Sequence, residues 1–225
     1  MKNLILRAIA GLLFLVIVMG LALFLPAGTL AYGQAWAFLA VFFVSVLAIT
    51  LYLMKNDPAL LERRTQAGPV AEKEKGQQII QSVAGLAFIA MFIFPGLDHR
   101  FGWSHVPAFL IILGDVLVAL GLLIVFFVFR ENSYTSAVIE VGAEQKIIST
   151  GPYAYVRHPM YIGALIMLLG VPIALGSYWG YISFVVIALV IIARLLDEEK
   201  FLSKNLAGYT GYMQKVKYHL IPFVW

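Results

Sequence analysis

The stretch GPYAYVRHPMYIG, residues 151–163, carries the side chains best suited to chemistry in an otherwise very apolar chain. Pro159 fits the first turn of a helix, where its missing N–H would have had no partner, and it favours an extended His158 before it. The free N–H groups of the next three residues and the helix dipole together form an anion site. Arg157 adds a planar fork that suits a carboxylate or phosphate. We therefore expect a small anionic group to bind here, although arginine and tyrosine also anchor helix ends at bilayer interfaces.

A second group of charges lies in ARLLDEEKFL, residues 193–202. Arg194 and Glu198 are four residues apart, so they share a helix face on which they can pair, and Glu199 follows directly. Taken alone, a solvated ion pair at a helix end contributes little stability. The connection at residues 176–177 is so short, however, that it predicts an antiparallel hairpin with the two motifs side by side. The spacing therefore favours a shared pocket.

The elements that must position these motifs are transmembrane helices. The 225 residues are 62% hydrophobic and only 12% charged, with a mean hydropathy of +0.91, far from the balance of soluble domains. We expect an all-α, polytopic integral membrane protein with about six transmembrane helices, because six apolar runs are long enough to cross a bilayer. The first run exceeds the apolar core of a signal peptide and is interpreted as a retained span. The predicted spans are residues 4–25, 31–54, 79–97, 106–129, 159–175 and 178–196.

The positions of the basic residues predict the orientation of these helices. Of the 16 Lys and Arg residues, only Arg100 falls outside when the N-terminus is placed in the cytoplasm. This asymmetry is what the positive-inside rule describes. We therefore expect both termini in the cytoplasm, at a bacterial inner membrane or the endoplasmic reticulum. The net charge of +4 then reflects topology and contact with anionic membrane lipid, and not nucleic-acid binding.

The segments between the spans have readable local structure. Asp57 can cap a helix that begins at Pro58 and stops at Gly68 and Pro69. Residues 130–158 mix polar and apolar side chains without a helical period, which indicates an ordered connection into the first motif. No repeat or linker divides the chain. We interpret residues 1–225 as a single membrane domain, with N-terminal helices in 1–129 and the motif-bearing region in 130–225.

The C-terminal tail carries one apolar stripe. Its apolar residues recur at alternating spacings of four and three: Leu202, Leu206, Tyr209, Met213 and Val216. This pattern predicts a cytoplasmic amphipathic helix, which Gly208 and Gly211 weaken.

Two kinds of site are excluded or disfavoured by composition. The chain has no cysteine, so disulfides, thiolate nucleophiles and thiolate-bound metals are excluded, and we predict no metal site. No strand-like run is followed by a glycine-rich loop and a helix, so a soluble dinucleotide-type fold is not predicted. Any cofactor pocket must therefore be formed by the membrane helices.

The two motifs, followed by YHLIPF near the C-terminus, resemble the isoprenylcysteine carboxyl methyltransferase family and the related phospholipid methyltransferases. The resemblance covers about residues 130–225 and implies an integral membrane enzyme that uses S-adenosylmethionine. The family usually shows Phe-Gly before the tyrosine pair of the tail, whereas this chain has LAGYTGY. The resemblance therefore implies the pocket but not the packing of the tail.

The resemblance also implies which residues form the site. Arg194 matches the family's arginine, which is placed at the substrate and reaction centre, and we predict that Glu198 is catalytic together with it. The implied cofactor-binding residues are Gly151, Pro152, Tyr153, Val156, Arg157, His158, Pro159, Tyr161, Glu198 and Glu199.

These residue types suit S-adenosylmethionine independently. Arg157 and the helix N–H groups suit its carboxylate, Glu198 or Glu199 suits its ammonium or ribose hydroxyls, and tyrosine faces can line its sulfonium. Transfer to a carboxylate needs no general base, because opposite charges join and removal of water supplies much of the rate. Transfer to a protonated amine needs a base, which would be His158 or a glutamate.

Several functions remain open from the sequence. The first is methylation of a lipophilic or prenylated acceptor, with a prenylcysteine-like carboxylate as the family's name reaction. The alternatives are a phospholipid amine N-methyltransferase, an NADPH-dependent sterol or steroid reductase, and a non-catalytic scaffold or transporter. Asp115, inside the fourth span, would point to transport. We expect instead a hydrogen bond from Asp115 to a neighbouring helix, aided by close packing at Gly114 and Gly121.

Overall fold

The computed structural model describes residues 2–65, 72, 75–139, 141–142 and 145–225. Every regular element within these residues is helical. The α-helices are α1 (Lys2–Ala27), α2 (Gly33–Asn56), α3 (Pro58–Thr65), α4 (Lys75–Phe101), α5 (Ala108–Glu131), α6 (Pro159–Ala174), α7 (Gly180–Asn205) and α8 (Tyr209–Lys215). A 3-10 turn, Gly151–Ala154, precedes α6.

Five of these helices, α1, α2, α4, α5 and α7, are long and apolar enough to cross a membrane. The prediction of an all-helical, multi-pass membrane protein is therefore confirmed. The predicted span at 159–175 is shorter than the others, because α6 begins at Pro159 and has only 16 residues. At about 1.5 Å per residue it is roughly 24 Å long, less than the roughly 30 Å apolar core of a bilayer.

The short helix α3 begins as predicted. The backbone N–H of Leu60 donates to Asp57 Oδ1 at 2.9 Å, which satisfies one of the free donors of the first turn. Leu60 and Leu61 are buried and pack against Leu53 and Phe129. The helix is therefore fixed to the ends of α2 and α5. The predicted stop at residues 68–69 lies outside the described residues.

Helices α5 and α6 approach each other most closely, through glycines. A Cβ atom on Gly114 would lie 2.7 Å from the Gly170 carbonyl oxygen, and one on Gly121 would lie 2.5 Å from that of Gly163. The expected close packing at Gly114 and Gly121 is therefore present. Small residues permit such close backbone contact among membrane helices. Their neighbour Asp115 does not show the expected hydrogen bond at Oδ1, which is buried and has no partner among the described residues.

Helix α6 therefore packs mainly on α5, while α7 packs mainly on α4. The hairpin predicted between α6 and α7 does exist, with Gly176 and Ser177 in the turn, but it is not the principal contact of either helix. At the turn, Ser177 Oγ donates to the buried Asp98 at 2.5 Å, which ties the connection to the end of α4.

We expect Gly121→Val to destabilise the protein by about 1–3 kcal/mol or more, because the new side chain would overlap backbone atoms of α6. Thermal unfolding in detergent, followed by circular dichroism, measures the loss. The control is Gly85→Val in α4, where an added Cβ meets nothing within 4 Å. Equal midpoints for the two variants would contradict the packing described here.

The C-terminal tail is not the single amphipathic helix predicted for residues 202–216. Helix α7 continues to Asn205, the chain then turns at Gly208 with φ +81°, and α8 occupies only seven residues. The left-handed conformation at Gly208 ends the regular helix. The apolar stripe is nevertheless buried in one cluster, which includes Leu202, Tyr209 and Val216.

Candidate active site

A cavity of about 370 Å³ lies at the end of the bundle where α5 ends and α6 begins. Its walls come from six parts of the chain: the end of α3, Gln81 of α4, the described residues of the connection 132–148, the approach to α6 with its first turn, the end of α7 and the tail. Both sequence motifs contribute side chains. The motif residues that line it are Tyr153, Arg157, His158, Met160, Tyr161, Arg194, Glu198 and Leu202.

A short hydrogen bond joins the two motifs across the cavity. The Tyr161 hydroxyl donates to Glu198 Oε2 at 2.6 Å. His158 stacks on the Tyr161 ring, with 5.6 Å between ring centroids. The expectation that the two motifs would meet in a shared pocket is therefore met in the structure, and Tyr161 and Glu198 are in contact at the cavity wall.

Arg157 is buried and fully engaged by the protein. Its Nε and Nη2 donate to the two carboxylate oxygens of Glu199, at 2.6 and 3.2 Å. Its Nη1 donates to the carbonyl oxygens of Val216 and Lys217, both at 2.8 Å. The planar fork that we expected to face an anion therefore holds Glu199 and the tail instead.

Glu199 is the centre of this buried cluster. Besides Arg157, it contacts His158 Nε2 at 2.9 Å and His219 Nε2 at 3.1 Å. Burial lowers the pKa of the His219 imidazole, although the Glu199 carboxylate opposes that shift. Unlike Glu198, Glu199 is not among the residues that line the cavity. Through these contacts, Glu199 links the tail to the N-terminal end of α6.

The approach to α6 is also closed by backbone hydrogen bonds. The N–H groups of Tyr161 and Ile162 donate to the carbonyl oxygen of His158, so two of the three donors expected to be free are occupied. The N–H groups of Arg157 and His158 donate to the carbonyls of Tyr218 and His219, at 2.9 and 3.0 Å. The N-terminal end of α6 is therefore bound to the tail and is not open to an anion.

The other predicted residues of the first motif shape this junction. Gly151 has φ +55°, and a Cβ there would lie 2.8 Å from the Glu131 carboxylate. Pro152 lies in the 3-10 turn, while Val156 and Pro159 are buried. None of these four residues lines the cavity. These residues define the path of the backbone towards the cavity-lining residues.

Tyr153 faces the cavity from the 3-10 turn. Its burial raises the pKa of the phenol to about 12, so the hydroxyl keeps its proton at neutral pH. Its carbonyl oxygen accepts a hydrogen bond of 2.9 Å from the Tyr212 hydroxyl. Tyr209 and Tyr212 of α8 also line the cavity. The tail therefore supplies aromatic side chains to the wall.

Arg194 does not pair with Glu198, as its spacing had suggested. Its Nη1 donates to Glu72 Oε1 at 2.8 Å and to Gln77 Oε1 at 3.0 Å. Its Nη2 donates to the carbonyl oxygen of Ala137 at 2.9 Å. Arg194 therefore joins three separate segments at the cavity wall.

Sequence reasoning missed several parts of the wall, including Gln81 of α4 and the tail residues Tyr209 and Tyr212. Arg64, at the end of α3, lines the cavity although α3 lies far from both motifs in the chain. The connection 132–148 lines it too, with polar residues such as Asn132, Thr135 and Gln145. Their only sequence signal was polarity within an apolar chain, which does not indicate where they pack.

The fold and cavity are those of a membrane protein with a small-molecule site at one end of its helices. Residues 109–208 match the family model of phospholipid methyltransferases. The matched region contains both motifs but not α3.

Curated relatives extend this similarity. A protein-S-isoprenylcysteine O-methyltransferase B of Arabidopsis thaliana is 29% identical over 147 residues, 63% of this chain and 71% of the relative. A probable protein-S-isoprenylcysteine O-methyltransferase of Oryza sativa subsp. indica is 28% identical over 135 residues, 59% and 68% respectively. A delta(14)-sterol reductase of Mus musculus is 29% identical over 105 residues, 43% of this chain but only 25% of that protein.

These similarities confirm the resemblance to the isoprenylcysteine carboxyl methyltransferase family that the two motifs indicated. The chain is a methyltransferase.

Proposed function

We propose that this membrane methyltransferase transfers a methyl group from S-adenosylmethionine to a lipophilic acceptor, most simply a prenylcysteine-like carboxylate. The observation that carries the proposal is the meeting of Tyr161 and Glu198, at 2.6 Å, in a cavity at the end of apolar helices. The region that supplies both residues is the region that matches the methyltransferase family.

The donor set of the cavity fits the proposed cofactor. Its volume of about 370 Å³ falls within the roughly 300–1,000 Å³ of small-molecule sites. Glu198 would hold the ammonium or a ribose hydroxyl, and the faces of Tyr153, Tyr209 and Tyr212 would line the sulfonium. Polar groups of the connection 132–148 would surround the remainder. When bound, S-adenosylmethionine supplies an electrophilic methyl group.

Arg157 and Glu199 receive a different role from the one that the motif suggested. Because they bind each other and the tail, we propose that they position the cofactor site without contacting the cofactor through their charged groups. His158 lines the cavity while its Nε2 contacts Glu199, so it links this buried cluster to the site.

The protein's part in transfer to a carboxylate would be positioning and exclusion of water. Such a transfer needs no base, since a carboxylate oxygen attacks directly and neutral products form. Arg194, which donates three hydrogen bonds, would hold in place the part of the cavity wall where the methyl group is transferred. Glu198 on that wall would take the proton from an amine that is to be methylated. Phospholipid N-methylation is therefore the second candidate, consistent with the name of the matching family.

The proposed topology follows the charge distribution. All six predicted spans would cross or enter the membrane, with α6 as a shorter segment packed on α5, and both termini would be cytoplasmic. The cavity would then face the cytoplasm, and an apolar acceptor would enter from the lipid side.

A transfer assay distinguishes the two acceptor classes. Purified protein in lipid nanodiscs is incubated with methyl-labelled S-adenosylmethionine and either N-acetyl-S-farnesylcysteine or phosphatidylethanolamine. We expect label in the farnesylated product that mild alkali releases as volatile methanol, because methyl esters hydrolyse and N-methyl groups do not. Alkali-stable label in the phospholipid would support the second candidate. Reduction of a sterol double bond by NADPH, with no methyl transfer, would refute both.

A further inference from the structure

The guanidinium groups that line the cavity differ in their partners. Arg157 forms an ion pair with Glu199, and Arg194 forms one with Glu72. Among the residues that the structure describes, no carboxylate forms an ion pair with Arg64. Arg64 is therefore the cavity-lining arginine that forms no ion pair with any of the described carboxylates.

Arg64 is held in place by contacts that do not neutralise it. Its Nη1 donates to the Ser136 carbonyl oxygen at 2.8 Å, and its Cζ lies 5.2 Å from the centroid of the Phe129 ring. Helix α3, which carries it, is anchored by the buried Leu60 and Leu61. A guanidinium that is already oriented loses little conformational entropy when it binds an anion.

The surroundings of Arg64 favour the arrival of a negative charge. Burial lowers the pKa of its guanidinium; the Tyr161 phenol raises it, and the Arg194 charge lowers it. An arginine still keeps its proton, so the cavity retains a positive charge that is only partly exposed to water. Partial burial of a charge that lacks an ion-pair partner is costly, and a charge-assisted hydrogen bond to an anion relieves that cost.

The position of α3 suits a lipid head group. Helix α2, a candidate membrane span, ends at Asn56, and α3 begins two residues later at Pro58. Arg64 therefore lies near the end of a span and reaches the same cavity as Tyr161 and Glu198. A molecule with its apolar tail in the bilayer and its anionic group in the cavity would meet this side chain.

We propose that Arg64 binds the anionic group of the methyl acceptor, a carboxylate or phosphate carried on an apolar tail. This inference rests on the proposed function and names the acceptor chemistry of its site. It also assigns a specificity-determining residue outside the matched region 109–208. The planar fork of arginine suits both oxyanions.

The test uses the full-length protein in nanodiscs, saturated with S-adenosylhomocysteine, and two matched pairs of ligands. One pair is N-acetyl-S-farnesylcysteine and its carboxamide, and the other is farnesyl monophosphate and farnesol. In Arg64→Gln we expect the Kd of at least one anionic ligand to rise about 10-fold or more, the size of a lost charge-assisted contact. The Kd of its neutral counterpart should change less than about two-fold. The affected pair identifies the oxyanion as carboxylate or phosphate.

The matched control is Arg63→Gln. This variant removes the same charge from the neighbouring residue, whose side chain does not line the cavity. We expect this variant to bind all four ligands as wild type does. Arg64→Lys should restore part of the lost affinity, since an ammonium keeps the charge but not the fork.

Equal loss of anionic and neutral ligands in Arg64→Gln, no loss of either, or no preference of the wild-type protein for an anionic ligand would each overturn the inference. Binding of S-adenosylhomocysteine is measured separately in every variant. If it persists, the proposed cofactor site stands even when the role of Arg64 fails. If wild-type protein does not bind S-adenosylhomocysteine, the proposed function itself has failed.

Discussion

Replacing Glu199 by alanine is expected to lower the free energy of unfolding by about 3–5 kcal/mol, the cost of leaving a buried charge without its partner. Glu199 receives two hydrogen bonds from Arg157 and contacts both His158 and His219. Its removal leaves the Arg157 guanidinium buried and uncompensated. The tail should then detach from the head of α6, which unfolding by SDS titration and protease sensitivity of residues 206–225 would measure.

The neighbouring Glu198→Ala is the control for this experiment. Glu198 accepts a hydrogen bond from the neutral Tyr161, so we expect a loss of only about 1 kcal/mol in stability. The double variant Arg157→Met/Glu199→Leu should be less destabilised than Glu199→Ala, because it removes both charges together. If Glu199→Ala were no less stable than Glu198→Ala, the central role of this cluster would be refuted.

Replacing Arg194 by alanine is expected to lower turnover by roughly 10²-fold while cofactor affinity changes only a few-fold. The guanidinium joins Glu72, Gln77 and the Ala137 carbonyl at the cavity wall. Without it, the buried Glu72 carboxylate would stand uncompensated beside the site and the wall would lose its fixed geometry. Single-turnover rates with saturating S-adenosylmethionine, compared with calorimetric binding of S-adenosylhomocysteine, separate the two effects.

Two further variants sharpen the interpretation of Arg194. Arg194→Lys should restore activity only in part, because one ammonium cannot reproduce contacts made by two nitrogens of a fork. Lys200→Ala removes an exposed cation from the same helix and should leave both measurements unchanged. If Arg194→Ala abolished cofactor binding and recovered full turnover at saturating cofactor, Arg194 would belong to the cofactor pocket.

The helices could largely be predicted from the sequence, because apolar length alone identifies a membrane span. Helix α6 is shorter than the other predicted spans, and its boundaries follow from Pro159 and from the turn at Gly176. Neither residue shows that the helix packs along α5 through glycines. The break near Gly208 was also only partly visible. Glycine weakens a helix anywhere, but tertiary packing decides whether the helix ends there.

The meeting of the two motifs could be predicted, but the pairing of their charges could not. Arg194 and Glu198 lie on one helix at the spacing of a local ion pair, yet Arg194 binds Glu72, 122 residues away in the chain. Arg157 was expected to bind a small external anion through its planar fork, whereas Glu199, 42 residues later, occupies that fork. Local spacing gives possible partners, and burial selects among them.

Arg64 marks the limit of motif-based reasoning. It lies outside residues 109–208, which match the family model, and an arginine in the last turn of a short helix between spans is typical of membrane interfaces. Only the fold of α3 against Leu53 and Phe129 brings it to the cavity.

The most direct test of the methyltransferase account is calorimetric titration of the purified protein in nanodiscs with S-adenosylhomocysteine and, separately, with NADPH. The account predicts one binding event for S-adenosylhomocysteine, weakened about 10-fold or more in Glu198→Gln, because an amide cannot provide the negative charge proposed to hold the ammonium. It predicts no binding of NADPH. Binding of NADPH to a protein that binds neither S-adenosylhomocysteine nor S-adenosylmethionine would contradict it.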